Sequence, residues 1–363
     1  MKILYVARID EDYGLDFGVS KKINGQISAF EQLGCSVEYL RMKNKQIICN
    51  DKKFNNVKHR YFAYSYFYKV LKRTLEYKKY DFVYLRYCIG DINFYKSIKL
   101  FNKFGIKVIV EIPTYPYVSE RKNKNIKNII SNIFDKYISR QLKKYVHRIS
   151  VTNTDDYIYG IKTIHMYNGI DISNIPLVNN RQDTNQINMI GMANLAIWHG
   201  YDRVIKGLYE YYQNNNVKKV HFYIVGDGKE KENLIKLTNQ LKLNETVHFL
   251  GSKNGKELDR IFDNMDIGVS SLALFRAGGG HDPIKSKEFL GRGIPVLMGY
   301  NDKIINMNLP YVYKVEENDS SIDIEDLINT YNKSIDIDSN TIRRYAEENL
   351  SWKPQMKKVI EEI

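Results

Sequence analysis

The chain has 363 residues, 43% of them apolar and 27% charged, a globular composition that excludes disordered, collagen-like and disulfide-framework proteins. Its length predicts two domains of about 150–200 residues each. The net charge of +13 is unevenly spread: residues 1–180 hold 31 basic and 16 acidic side chains, residues 181–363 hold 24 and 26.

In chain order, residues 2–7 (KILYVA) read as a short buried strand, followed by a polar loop over 9–17. Gly18-Val19-Ser20 opens a helix carrying Ile23, Ile27, Phe30 and Leu33, which ends at Gly34. Strand-like runs follow at 37–40, 82–87, 107–111, 148–152 and 164–167. Between them lie two basic stretches, one around Lys69, Lys72, Arg73, Lys78 and Lys79, the other from Arg121 to Arg148. In the second, Ile126, Ile129, Ile130, Ile133, Phe134, Tyr137 and Ile138 recur at helical spacing. That predicts an amphipathic helix with a basic face. A core-facing helix with solvated lysines is the plainest reading of either stretch. An anionic membrane surface comes next, ahead of nucleic acid, for which no recognition motif is present.

The alternation restarts after a polar, turn-rich linker over 175–185. Strands are expected at 186–191, 221–225, 247–251, 267–270 and 294–297, with helices at 202–212, 229–241, 257–264 and 286–292. This pattern predicts an α/β protein with two doubly wound, Rossmann-like domains. The expected boundaries are 1–175 for the first domain, 176–345 for the second, and 346–363 for a terminal helix. No apolar run approaches the roughly 20 residues needed to span a bilayer, and the N-terminus turns charged too early for a signal peptide. Cys35, Cys49 and Cys88 lack CxxC spacing, which predicts a cytoplasmic protein without a zinc site.

Doubly wound sheets bind ligands beyond the carboxyl ends of their strands. That directs attention to the loops near Gly18, His199, Gly226 and 277–287. The run Gly278-Gly279-Gly280-His281-Asp282-Pro283-Ile284 allows close backbone approach, and the following helix start with Lys285 suits a diphosphate. Glu288 can accept two hydrogen bonds from a ribose diol. On spacing alone, a surface turn and an ordinary helix-start glutamate explain these residues equally well.

The order of several motifs resembles family 4 retaining glycosyltransferases of the GT-B architecture. They are Asn168-Gly169-Ile170-Asp171, Trp198-His199-Gly200-Tyr201-Asp202-Arg203, Val225-Gly226-Asp227-Gly228, Phe249-Leu250-Gly251 and Lys285-Ser286-Lys287-Glu288-Phe289-Leu290-Gly291-Arg292-Gly293-Ile294-Pro295-Val296. The resemblance implies two domains facing a central cleft, with a C-terminal helix returning to the first. It implies a retaining, metal-independent glycosyltransferase without a cofactor, taking a nucleotide-sugar donor and a glycan or lipid-linked acceptor in bacterial surface polysaccharide synthesis. By the same resemblance, Glu288 binds the donor ribose, and His281, Asp282, Pro283, Ile284, Lys285 and Ser286 belong to the loop and helix start that hold the donor sugar and diphosphate. Gly18 and Val19 would meet the diphosphate through their amides. His199 and Arg203 lie where the family contacts phosphate, Leu250 where backbone groups read the base, and Gly226 in the matching Val225–Gly228 motif, a donor-binding candidate. Lys285 and Arg203 are the expected catalytic cations. The family's first glutamate of E-x7-E falls at Gly280, and its phosphate-binding arginine and lysine at Ala193 and His199. The expected N-domain histidine is replaced by the run from Glu111 to Tyr117, so Glu111 and Tyr117 are the acceptor-side candidates. The alternatives are a non-catalytic GT-B subunit or a nucleotide-sugar epimerase; a dinucleotide oxidoreductase is disfavoured, since no GxGxxG follows the first strand.

Overall fold

The computed structural model describes residues 1–10, 17–44, 46–50, 52–56, 63–77, 79–87, 91–115, 126–152, 154–178, 185–214, 218–278 and 283–363. The chain divides into two compact units, one of Met1–Gly169 with Trp352–Ile363, the other of Ile170–Ser351. The crossing into the second unit thus falls at Gly169 rather than within the linker, and the return comes at Trp352.

The first unit is built on strands β1 (Lys2–Asp10), β2 (Ser36–Lys43), β3 (Gln46–Cys49), β4 (Lys52–Asn56), β5 (Phe82–Arg86), β6 (Lys107–Ile112), β7 (Arg148–Val151), β8 (Tyr157–Ile158) and β9 (Ile161–His165). Their order in the sheet is β4-β3-β2-β1-β5-β6-β7-β9-β8. Along the order β2-β1-β5-β6-β7-β9 the pairs are parallel, whereas β2–β3, β3–β4 and β8–β9 are antiparallel, at the two edges. Parallel strands buried on both faces are largely apolar: every residue of β5 is buried, Phe82 to Leu85 apolar and only Arg86 charged.

Helices α2 (Ala63–Tyr77), α3 (Ile92–Lys103) and α4 (Ile126–Leu142) cover one face through Phe67, Val70, Leu71, Phe94, Ile98, Ile138 and Leu142. Helix α1 (Phe17–Gln32) covers the other with Ile23, Ala29 and Phe30. Asp91 caps α3, its side chain accepting from the Phe94 amide.

Among the described residues, the second unit has six parallel strands: β10 (Gln186–Asn194), β11 (Lys219–Asp227), β12 (Val247–Gly251), β13 (Ile267–Val269), β14 (Val296–Met298) and β15 (Val312–Lys314). Their order is β12-β11-β10-β13-β14-β15. The connections therefore reverse direction between β10 and β13, the switch point where open α/β sheets leave a crevice. The helices are α5 (Tyr201–Gln213), α6 (Lys231–Gln240), α7 (Gly255–Phe262), α8 (Ile284–Gly291), α9 (Ile324–Lys333) and α10 (Ser339–Asn349).

The last helix, α11 (Trp352–Glu361), packs on α1 in the first unit, burying Trp352, Met356 and Val359 with Phe30 and Tyr5. The Lys22 ammonium lies 5.4 Å from the centre of the Trp352 ring. Replacing the fully buried Met356 by Ala should cost about 2–5 kcal/mol, read as a lower urea midpoint; a loss under about 1 kcal/mol would mean that α11 adds little to this core.

Candidate functional site in the second unit

The site grows from two segments at the switch point: the loop after β10, and the first turn of α8, which comes after β13. The β10 loop forms a short 3-10 turn, Ile197–His199, and ends at Gly200 in the left-handed conformation (φ 65°). A side chain at Gly200 would also press on Leu272 and Ala273 at 3.0 Å, so glycine is required here twice over. The turn is tied to the segment after β13 by the amide of Leu272, which donates to the His199 carbonyl at 2.9 Å.

Arg276 fastens the same turn from outside. Its Nη1 donates to the Ile197 carbonyl at 3.0 Å, and its two Nη atoms grip Asp202 at 2.8 and 3.1 Å. Gly226 and Gly228 close the turn from the β11 side. A Cβ on Gly226 would lie 1.8 Å from the Ala193 carbonyl oxygen, and one on Gly228 2.4 Å from that of Leu195. Gly226 thus fixes the shape of the loop that carries His199.

This framework holds His199 buried, with its Nδ1 lacking a hydrogen-bond partner among the described residues. Burial, aided by the charge of Lys285, lowers its pKa to about 3, so the imidazole is neutral at physiological pH. Lys285 stands in the first turn of α8. Its Nζ is buried, also lacks a hydrogen-bond partner among the described residues, and lies 5.8 Å from the centre of the Tyr201 ring. Burial lowers its pKa to about 7. Tyr201 can sit there because β10 has glycine above it: a Cβ at Gly191 would fall 2.6 Å from the tyrosine Cζ.

An ammonium and an imidazole nitrogen without hydrogen-bond partners among the described residues, buried at one switch point, are costly unless something else pairs with them. They fit an anionic ligand that would supply the missing acceptors. The α8 start adds to this, since Pro283 provides no side-chain cap for its amides.

Glu288 lies one turn further along α8. One of its oxygens accepts from Arg292 Nη2 at 3.2 Å, while Arg292 also holds Asp259 at 2.9 Å and stacks on Phe262. The carboxylate is therefore oriented from behind. Ser286 is fully buried and faces inward: its hydroxyl donates to the Pro283 carbonyl and accepts from Tyr300 at 2.9 Å. Leu250 on β12 is half-buried against the core. Ile284 is exposed. Gly280, His281 and Asp282 lie outside the described residues.

Arg203 does not extend towards this site. It is 1% exposed, and its guanidinium donates to the carbonyls of Ser320, Leu272 and Glu316. With its donors spent on backbone, it is a brace for the loops around the site, which corrects the expectation of a phosphate-contacting cation.

In the first unit, the backbone of Gly18 and Val19 forms the opening turn of α1. Glu111 is 3% exposed at the carboxyl end of β6 and is closed in by Arg86 at 2.6 Å, Lys22 at 3.3 Å and Gln26 at 3.0 Å. Burial alone would raise its pKa, but the Arg86 and Lys22 charges prevail and bring it to about 2. It is an anchor for α1 rather than an open acceptor contact. Tyr117 lies outside the described residues. Sequence reasoning missed Arg276, whose loop position carries no periodic or motif signal.

Comparison with known proteins agrees with this architecture. Residues 178–340 match the family Glycosyl transferases group 1. Among solved structures, a glycosyltransferase from Rickettsia africae is similar at 14% identity over 99% of this chain and 97% of that one, with a TM-score of 0.59. HepE of Anabaena, solved in complex with UDP, aligns at 13% identity over 99% of both chains, TM-score 0.56. The lipopolysaccharide outer core galactosyltransferase WaaB aligns at 14% identity over 100% and 99%, TM-score 0.55. No curated protein matches the chain. The fold is GT-B, and residues 178–340, a little under half of the chain, match the group 1 glycosyl transferase family.

The Lys285 pKa sets a pH test. The folded chain releases this proton near pH 7 and the unfolded chain near 10.5, so the unfolded state binds more protons between them and stability rises with pH across that window. The thermal midpoint of the natural protein should gain on that of Lys285→Met between pH 7 and 10.5; parallel profiles would show that the ammonium is solvated.

Proposed function

We propose that this protein transfers a glycosyl group from a nucleoside-diphosphate sugar to a glycan acceptor carried on a lipid, in bacterial surface polysaccharide synthesis. Retention of the anomeric configuration follows from the family resemblance. The observation that carries the reading is the buried Lys285 ammonium, unpartnered among the described residues, beside the neutral His199 at the switch point.

As the bond from sugar to diphosphate breaks, negative charge collects on the leaving phosphate. Lys285 would take up that charge as an ion pair, the α8 amides as hydrogen-bond donors, and His199 through an N–H. Cations and dipoles fixed before the reaction need no reorganisation during it, and they supply the role that a metal would otherwise fill. Metal-independent catalysis is therefore part of the proposal. Glu288, oriented by Arg292, would accept from the ribose hydroxyls, and backbone near Leu250 would face the base. HepE, solved with UDP, offers a uridine diphosphate as a first donor to try. The basic first half supports work at the cytoplasmic face of an anionic membrane, where a lipid-carried acceptor resides.

With a panel of UDP- and GDP-sugars, the natural protein should release nucleoside diphosphate, and EDTA should leave the rate unchanged. Lys285→Ala and Glu288→Ala should each lower turnover about 100-fold or more while the protein stays folded. Unaltered turnover in both variants would refute the donor site, and loss with EDTA would refute the metal-free chemistry.

A further inference from the structure

Among its described side chains, helix α4 has two apolar faces, one buried and one exposed. Ile138 and Leu142 point into the core, and the one acid on the helix, Asp135, is buried with them and accepts from the Tyr87 hydroxyl. The opposite side carries Ile133, Phe134 and Tyr137, which are 64%, 47% and 64% exposed. Of the expected core-facing residues whose side chains are described, Ile138 is buried, whereas Ile133, Phe134 and Tyr137 face outward. Lys136 and Arg140 share that outward side at helical spacing, followed by Lys143 and Lys144 just beyond the helix, and all four are exposed.

The same layer continues the pattern. Lys69, Lys72 and Arg73 on α2 and Lys96, Lys99 and Lys103 on α3 are exposed on the side away from the sheet. Among the described side chains of α2, α3 and α4 no acidic group is exposed. An exposed apolar stripe set in a field of cations is costly in water, and it selects its partner by charge.

The geometry points to the outer surface of α4 as a docking face for an anionic lipid bilayer. Ile133, Phe134 and Tyr137 would enter the headgroup boundary, and the cations of α2, α3 and α4 would lie over lipid phosphates. A second copy of this chain is a poorer occupant, because a two-fold contact through α4 would bring Lys136 and Arg140 against their own counterparts. No helix among the described residues is long and apolar enough to cross a membrane, and the proposal requires only interfacial attachment. It deepens the membrane clause of the function proposed above without relying on the donor site, so the two can fail separately.

The test is co-sedimentation of the full chain, without nucleotide, with phosphatidylcholine vesicles that are either neutral or about one-third phosphatidylglycerol. The natural protein should bind the anionic vesicles and not the neutral ones, and the binding should fade as salt shortens the Debye length. The triple variant Ile133→Ser, Phe134→Ser, Tyr137→Ser should lower the bound fraction about tenfold with its thermal midpoint unchanged, and Lys136→Glu with Arg140→Glu should do the same. Anionic-vesicle binding that persists in both variants would overturn the proposal. So would failure of the natural protein to bind, or a dimer in solution that the triple variant dissociates. A nucleoside-diphosphate thermal shift retained in the triple variant would confirm that only the lipid face was altered.

Discussion

A lysine ammonium buried without a hydrogen-bond partner among the described residues is the constraint around which the second unit is organised. Removing an ion from water costs several kcal/mol unless something replaces the water. Lys285 answers part of that cost by easing its pKa down to about 7, and the Tyr201 ring beneath it contributes a weak attraction. Neither replaces the lost hydration, and a bound diphosphate would. The glycines and arginines nearby follow from the same need. Gly191 admits the tyrosine, Gly200 and Gly226 shape the loop, and Arg276 and Arg203 lock that loop in place. Each spends its chemistry on holding rather than on contacting a ligand.

Two buried charges, one in each unit, are treated in opposite ways. In the first, Glu111 is enclosed by Arg86, Lys22 and Gln26, and the Tyr5 hydroxyl completes the chain by donating to Gln26 at 2.5 Å. Such a satisfied network is architecture: it joins α1 to the carboxyl ends of β5 and β6. In the second, Lys285 Nζ and His199 Nδ1 have no hydrogen-bond partner among the described residues. Satisfied and unsatisfied buried charge therefore separate scaffold from site without reference to any motif.

Much of this was legible in the sequence, because parallel strands buried on both faces write themselves as short apolar runs. The strands at 82–86, 107–112, 186–194 and 247–251 fall close to their expected places. The β3–β4 ribbon was not legible, since β3 is only four residues long and β4 at the sheet edge is mostly polar and basic. Helices α9 and α10 were likewise missed, although Asp323 and Asp338 cap them. Arg203 misled for a different reason. It sits in the first turn of α5 next to His199, but helix geometry turns its side chain inward, under the loop over 316–320. Periodicity also misled at α4, where it indicated that one face must be apolar but not that two were. Lys285 and Glu288 drew attention because a helix start after a glycine run suits an anion, but spacing alone left a surface turn equally open, since burial and partners are not written in the sequence.

The central claim is that Lys285 is a half-titrated cation held for a diphosphate. Calorimetry of UDP and GDP binding at pH 8, in two buffers of different ionisation heat, tests it directly. A site of this kind takes up close to one proton as the ligand forces Lys285 into its charged form, and Lys285→Met abolishes the uptake. Tight binding with no proton uptake, or uptake that survives in Lys285→Met, would contradict the account.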